Sequence, residues 1–352
     1  MKKIISIILL IISIIILVFV YNDDFLYSKQ VMKITNIETT NEEISENSLG
    51  IKEKYYTKEI SGIITNGKNK GTKKKITYEE TYSSIVTDKY RVNDKLILDG
   101  NDLDLKRDFY LVLMVLLFIN LIYLVGSFKG LLSVVSLIFN MLIFYLGLSL
   151  YFKGVNLLLV TIIEMIIFSI TSLFLASGIN KKTIAAIISV ITSTITMLIL
   201  LVIVVKTTNY KGINFNEISF LTVPLEDIII PELLIGTVGA VMDVAITISS
   251  SIAELIEKNK RISIKSLNKS AKEIGKDIMS TMTNVLFFTY LCAELPIFVL
   301  ALRNGFSMFN YITTNITLEL SRFLVGSIGI IMTIPLSAFV SIKLMKRGAK
   351  WT

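Results

Sequence analysis

Eight apolar runs, each close to the length of a membrane crossing, constrain this chain more than any other feature. They are residues 4–21, Phe109–Gly126, Leu131–Tyr151, Val155–Ser177, Thr183–Val205, Pro231–Leu255, Ile278–Leu302 and Leu320–Met345. Crossing the hydrocarbon as a helix takes about 20 apolar residues. Inside it every backbone N–H and C=O must be satisfied within the protein, which a helix does by itself. The expected fold class is therefore an all-α polytopic membrane protein with about eight transmembrane helices. A chain that is 53% hydrophobic with a mean hydropathy of +0.68 agrees, being too apolar for a soluble protein.

The first run follows Met1-Lys2-Lys3 and leaves through Val20-Tyr21-Asn22-Asp23, without a small-x-small cleavage pattern. It also exceeds the roughly 7–15 apolar residues of a signal peptide. Residues 1–21 are expected to be a retained transmembrane anchor. Residues 22–108 form the long polar region, with 16 acidic and 15 basic side chains. Strands are expected at Val31–Ile37, Tyr55–Thr65, Thr72–Glu80 and Lys95–Leu98. Asn66-Gly67 offers the positive φ angles of a tight hairpin turn. The expectation is a small β-barrel-like domain, inserted after the first helix and followed by a seven-helix membrane domain at 109–352. The run Lys73-Lys74-Lys75 reads as a solvated strand.

Charge sets the orientation. Sixteen lysines and arginines fall in loops on the N-terminal side: Lys2 and Lys3, Lys129, Lys181 and Lys182, seven from Lys258 to Lys276, and four from Lys343 to Lys350. The short loops on the other side carry Lys153, Lys206, Lys211 and Arg303. The positive-inside rule then places both termini in the cytoplasm and residues 22–108 outside. The net charge of +8 is thus a product of topology and calls for no nucleic-acid partner. With no histidine and the single Cys292, the chain lacks the commonest general base and any internal disulfide. No phosphate-binding GxxxxGK[ST] loop is present. A non-enzymatic protein without a cofactor is expected, and the residues leave a metal ion undecided.

Polar residues inside the apolar runs are the candidate site. Asp243 sits in the middle of Pro231–Leu255, where a carboxylate costs roughly 2.5–3.5 kcal/mol on insertion scales. Thr247, Ser250 and Glu254 follow at helical spacing, so a polar seam runs along one face. Gly236 and Gly239 on the same helix would let a neighbour approach closely. The basic stretch Lys258–Lys276 has apolar Ile264, Leu267, Ala271 and Ile274 at steps of three and four, and predicts an amphipathic helix, either lying on the inner leaflet or serving as an ordinary cytoplasmic loop helix anchored by the same charges. The next span opens with Asp277, Ser280, Thr281 and Asn284 on one face. Two such helices could pair and line a shared polar interface or pathway. Glu164, inside its own span, and Glu319 with Arg322, three apart at the start of the last span, are additional candidates. Glu294 stands just before Pro296, which would kink its helix.

The stretches GTVGAVMDVAITISSSIAEL, GKDIMSTMTNVLFFTYLCAELP and LELSRFLVGSIGIIMTIPLSA resemble the YibE/F family of bacterial multi-pass membrane proteins. The resemblance covers about residues 109–345. The anchor and outer β region are similar to the YibE-type branch. By this resemblance Gly239, Asp243, Asp277, Thr281, Asn284, Glu319 and Arg322 fall on family motif positions, and a YibF-like partner subunit or a homo-oligomer is implied. The leading expectation is a transporter or permease-like protein, or a membrane subunit, handling a small solute or ion at the Asp243 site. Two alternatives are a scaffold or sensor using the outer domain, and an intramembrane aspartyl protease using Asp243 and Asp277.

Overall fold

A computed structural model describes residues 2–46, 50, 52–83, 88–100, 102–208 and 225–347. The expected outer loop with Lys211, and Lys350 near the C-terminus, lie outside them. The chain divides into two compact units, residues 1–131 and 132–352.

The first unit begins with α1 (Lys2–Tyr21) and a short 3-10 turn (Asp23–Leu26). Five strands follow: β1 (Gln30–Glu46), β2 (Lys52–Ile64), β3 (Lys73–Thr81), β4 (Lys95–Asp99) and β5 (Asp102–Leu105). All pair antiparallel in the order β3-β2-β1-β4-β5. The four expected strands are present. β5 had too few residues to show a pattern, and reaches β4 through Gly100 at φ +61°.

The described residues form an open sheet, and no closure of β3 on β5 makes it a barrel. Length is the physical reason. β1 and β2 run on well beyond the short β4 and β5, with β3 beside β2 as far as Tyr55. Thr35 and Thr40 sit at breaks in the β1–β2 register, each with its hydroxyl bonded to a carbonyl of β2, on Ser61 and Thr57 at 2.9 Å. The apolar core lies at the other end, around Met32, Ile34, Ile60, Tyr78, Tyr90, Leu96 and Leu98.

Asn66-Gly67 does not make a two-residue turn. The connection spans residues 65–72, with Gly67 at φ +70° and Gly71 at φ +88°. Asn66 is instead buried, accepting from Val31 N at 2.7 Å and donating to the carbonyls of Asp24, Lys29 and Tyr27.

Below the sheet, buried charges join the exit of α1 to the entry of α2. Lys106 Nζ bonds Asp23 and reaches Asp24 at 2.8 Å and Asp108 at 3.5 Å. Lys95 pairs with Asp24 at 2.8 Å and lies 4.6 Å from the centre of the Tyr21 ring. Burial alone would drive the Lys106 ammonium down, but its bonds to Asp23 and Asp24 hold it above the ordinary lysine range. Burial likewise opposes the charged form of Asp24, and its bonds to Lys106 and Lys95 override it, keeping the carboxyl below its usual value. Burial and the Asp108 carboxylate push the Tyr27 hydroxyl up to about 12.

Helix α2 (Asp108–Phe152) breaks at Ser127, which has φ 52° and ψ −136°. The break divides it into the two expected spans. Gly130 fits there because a Cβ would strike the backbone of Ile122.

The second unit contains the second arm of α2, α3 (Leu157–Ser177), α4 (Lys181–Thr208), α5 (Leu225–Lys258), α6 (Ile264–Arg303), the short α7 (Met308–Thr314) and α8 (Thr317–Arg347). Among the described residues seven helices are long and apolar enough to cross a membrane, α2 counted once. α8 packs against α4, α5 and α6. Its Gly326 receives Leu286 and Thr237, and its Gly329 receives Met197 and Val241. Gly275 of α6 receives Ile334 in the same way. Ser249 and Ser341 share a buried hydrogen bond of 2.8 Å between α5 and α8.

The basic stretch after Lys258 does not form a separate surface helix. Ser263 caps Ile264–Arg303, its hydroxyl accepting from Ser266 N at 3.0 Å, and the helix continues without interruption through Asp277. At 1.5 Å per residue it is roughly 60 Å long, about twice the hydrocarbon thickness. Of the apolar residues expected on that face, Leu267 and Ala271 are buried in the core shared with α8 and Ile274 packs against it, whereas Ile264 stays exposed.

Candidate functional site

A cavity of about 490 Å³ opens where the second arm of α2 ends and α3, α5 and α8 begin. Helical spacing brings each wall to it: Phe144, Gly147 and Leu148 from α2, Leu157, Val160, Thr161 and Glu164 from α3, and Pro231, Glu232, Ile235 and Gly236 from α5. Tyr290 of α6 and Arg322 of α8 complete it. Glu164 is seven residues into α3, a depth of roughly 10 Å along the helix axis.

Polar groups in this wall differ in how they are satisfied. Arg322 bonds Glu319 one turn earlier on α8 and Glu232 across on α5. The Tyr290 hydroxyl donates to the Gly236 carbonyl at 3.0 Å, and a Cβ on Gly236 would press on that hydroxyl. Among the described residues Glu164 has no such partner. The residue is 5% exposed, and its Oε1 is buried without a hydrogen bond, as is the Oγ1 of Thr161 one turn away. The carboxylate occupies the space beside Gly147, where a Cβ would collide with it. Glu319 Oε2 is also buried and unbonded. Among the described residues three carboxylates (Glu164, Glu232 and Glu319) thus stand against the single guanidinium of Arg322.

The expected seam lies elsewhere. Asp243 and Thr247 are exposed on the face of α5 turned away from its buried residues Val241, Val244, Ala245 and Ile248, with Gly239 also exposed. Space beside Gly239 is open within the chain, unlike that beside Gly236. Thr247 donates to the Asp243 backbone carbonyl at 2.7 Å, and Thr281 to the carbonyls of Asp277 and Ile278 at 3.2 and 3.0 Å. These hydroxyls are therefore spent on their own helices. Asp277, Thr281 and Asn284 are exposed on α6. Among the described residues no hydrogen bond joins them to Asp243. Ser250 is half-buried and lines a second cavity of about 920 Å³ with Lys181, Lys182, Glu254 and Lys260.

Of the residues singled out in the sequence, Glu164, Gly236 and Arg322 meet in the first cavity, and Glu319 joins them through Arg322. Gly147, Thr161, Glu232 and Tyr290 were missed. Thr161 carried a signal, one turn before an intramembrane acid. Glu232 is paired with a residue 90 positions away, which spacing does not reveal.

Residues 114–347 match the family model described as YibE/F-like protein, and residues 25–107 match the YibE/F family N-terminal domain. The chain belongs to the YibE/F family, and this membership together with its apolar helices marks it as a membrane protein. Comparison with curated proteins and with solved structures gives no match.

Proposed function

We propose that this chain is a permease-like protein of the bacterial cell membrane, or the membrane subunit of a larger assembly, that carries a small solute or ion. The observation behind this reading is Glu164: a carboxylate buried without a partner in a cavity between membrane-length helices. An ionisable group kept at such cost marks a pathway or binding site more often than a packing position. With both termini cytoplasmic, as the loop charges indicate, the cavity opens toward the outside. The protein acts without enzymatic chemistry. Asp243, uncovered on α5, serves at the contact with a neighbouring subunit, taken here as a second copy of the chain.

Reconstitution into proteoliposomes tests the reading. Flux of ions or small solutes is expected in wild type and is expected to fall in Glu164→Gln. Flux unchanged by that substitution would remove the cavity from the mechanism.

A scaffold or sensor role has one specific observation in its favour. The buried charges around Lys106 fasten the sheet to the exit of α1 and the entry of α2, as a rigid relay requires. Deleting residues 22–108 separates the two: transport that persists without them argues against an essential receiver.

A further inference from the structure

We infer that the cavity at Glu164 binds a small organic cation, a primary or quaternary ammonium ion carrying an apolar body. The inference rests on the carrier reading for the role of the site and adds the class of ligand.

Charge comes first. The carboxylates of Glu164, Glu232 and Glu319 outnumber the one cation, Arg322, which is already engaged by two of them. Glu164 is left with a buried oxygen that accepts nothing, and Thr161 offers a second buried oxygen on the same face of α3. A carboxyl away from water must either take up a proton or be met by a cation. An anion would meet a surplus of like charge, and a neutral ligand would leave the surplus in place.

Size and lining come next. The volume of about 490 Å³ is far larger than a bare monovalent ion occupies and falls in the range of small organic ligands. One free carboxylate and one hydroxyl are too few for a divalent cation that takes six or more oxygens. Most of the wall is apolar, with Leu148, Leu157, Val160 and Ile235 around the acid. Phe144 and Tyr290 also line it, and aromatic rings attract ammonium groups. An ammonium head on Glu164 and Thr161 with a hydrocarbon body against these side chains satisfies each wall.

Calorimetry on the full chain in lipid nanodiscs tests this, with 2-phenylethylammonium and tetraethylammonium as probes and 2-phenylethanol as the neutral control. At least one ammonium ion is expected to bind about tenfold or more tightly than the alcohol, and Glu164→Gln to abolish that preference. Thr161→Val is expected to weaken the ammonium less. Monodispersity and melting temperature of each variant separate lost binding from lost folding. Alcohol binding equal to the ammonium ions, a preference that survives in folded Glu164→Gln, or no binding of either ammonium ion would each overturn the inference. Flux decides the carrier reading independently. Ammonium binding without flux of any solute overturns the carrier and leaves the cation site standing. Glu164-dependent flux of another solute, with no ammonium binding, does the reverse.

Discussion

The carboxylate of Glu164 on α3 lies against Gly147 on α2, in space that a Cβ at position 147 would fill. The acid and the glycine therefore act as a pair. Gly147→Ala is expected to displace the carboxylate and lower stability by about 1–3 kcal/mol, the usual range for overpacking. Melting in detergent measures this. Shortening the acid in the same background, as Gly147→Ala with Glu164→Ala, should recover most of the loss; a double variant no more stable than Gly147→Ala alone would break the pairing.

Arg322 holds Glu232 and Glu319 together, and removing it leaves two carboxylates unneutralised. Arg322→Leu is expected to cost roughly 3 kcal/mol, the low end for a broken buried pair because Glu232 remains about a third exposed. Arg322→Lys should cost less, since it keeps the charge but not the two-pronged geometry. Thermal unfolding of the three proteins side by side gives the ranking.

The charges under the sheet predict a pH window. The folded-state pKa of Asp24 lies below its unfolded value, so its contribution is present above about pH 4–5 and is lost as pH falls further. Lys106 is raised, so its contribution is complete below about pH 10 and is lost as pH climbs above it. Tyr27, raised to about 12, loses its share over the same alkaline range. Hydrogen exchange of peptides from residues 22–107 in the full chain should show protection between these limits and its loss at both. In Lys106→Met the domain should lose protection at neutral pH as well.

Asn66 closes four hydrogen bonds between the β2–β3 connection and the start of the domain. Asn66→Ala is expected to destabilise the domain by about 1–3 kcal/mol through orphaned backbone groups. Asn66→Asp should be worse, because a carboxylate would face three carbonyl oxygens. Exchange rates at Val31 report both; an aspartate variant as well protected as wild type would contradict this geometry.

Asp243 and Thr247 face outward from α5. If a second copy covers them, Thr247→Cys in a Cys292→Ser background should form an intermolecular disulfide in membranes, and Asp243→Asn should change its yield. Monomer at every oxidant concentration would exclude a symmetric contact through this face.

Much of the fold was legible in the sequence because membrane length and strand alternation are local patterns. The paired spans on either side of Ser127 and the four longer strands follow from them. The separate amphipathic helix after Lys258 did not survive. Periodicity located its apolar face on Leu267 and Ala271 but could not distinguish lipid from α8 as the partner of that face.

The sequence by itself determined the helical membrane class, the position of the polar domain, and the presence of costly acids at 164 and 243. Which acid belongs to a cavity was decided by tertiary structure. Asp243 has the fuller polar pattern along its helix, yet that face stays uncovered among the described residues. Glu164 has a sparse pattern and lines a cavity with residues of α2, α5, α6 and α8. Spacing along one helix fixes which residues share a face; only packing fixes what that face meets.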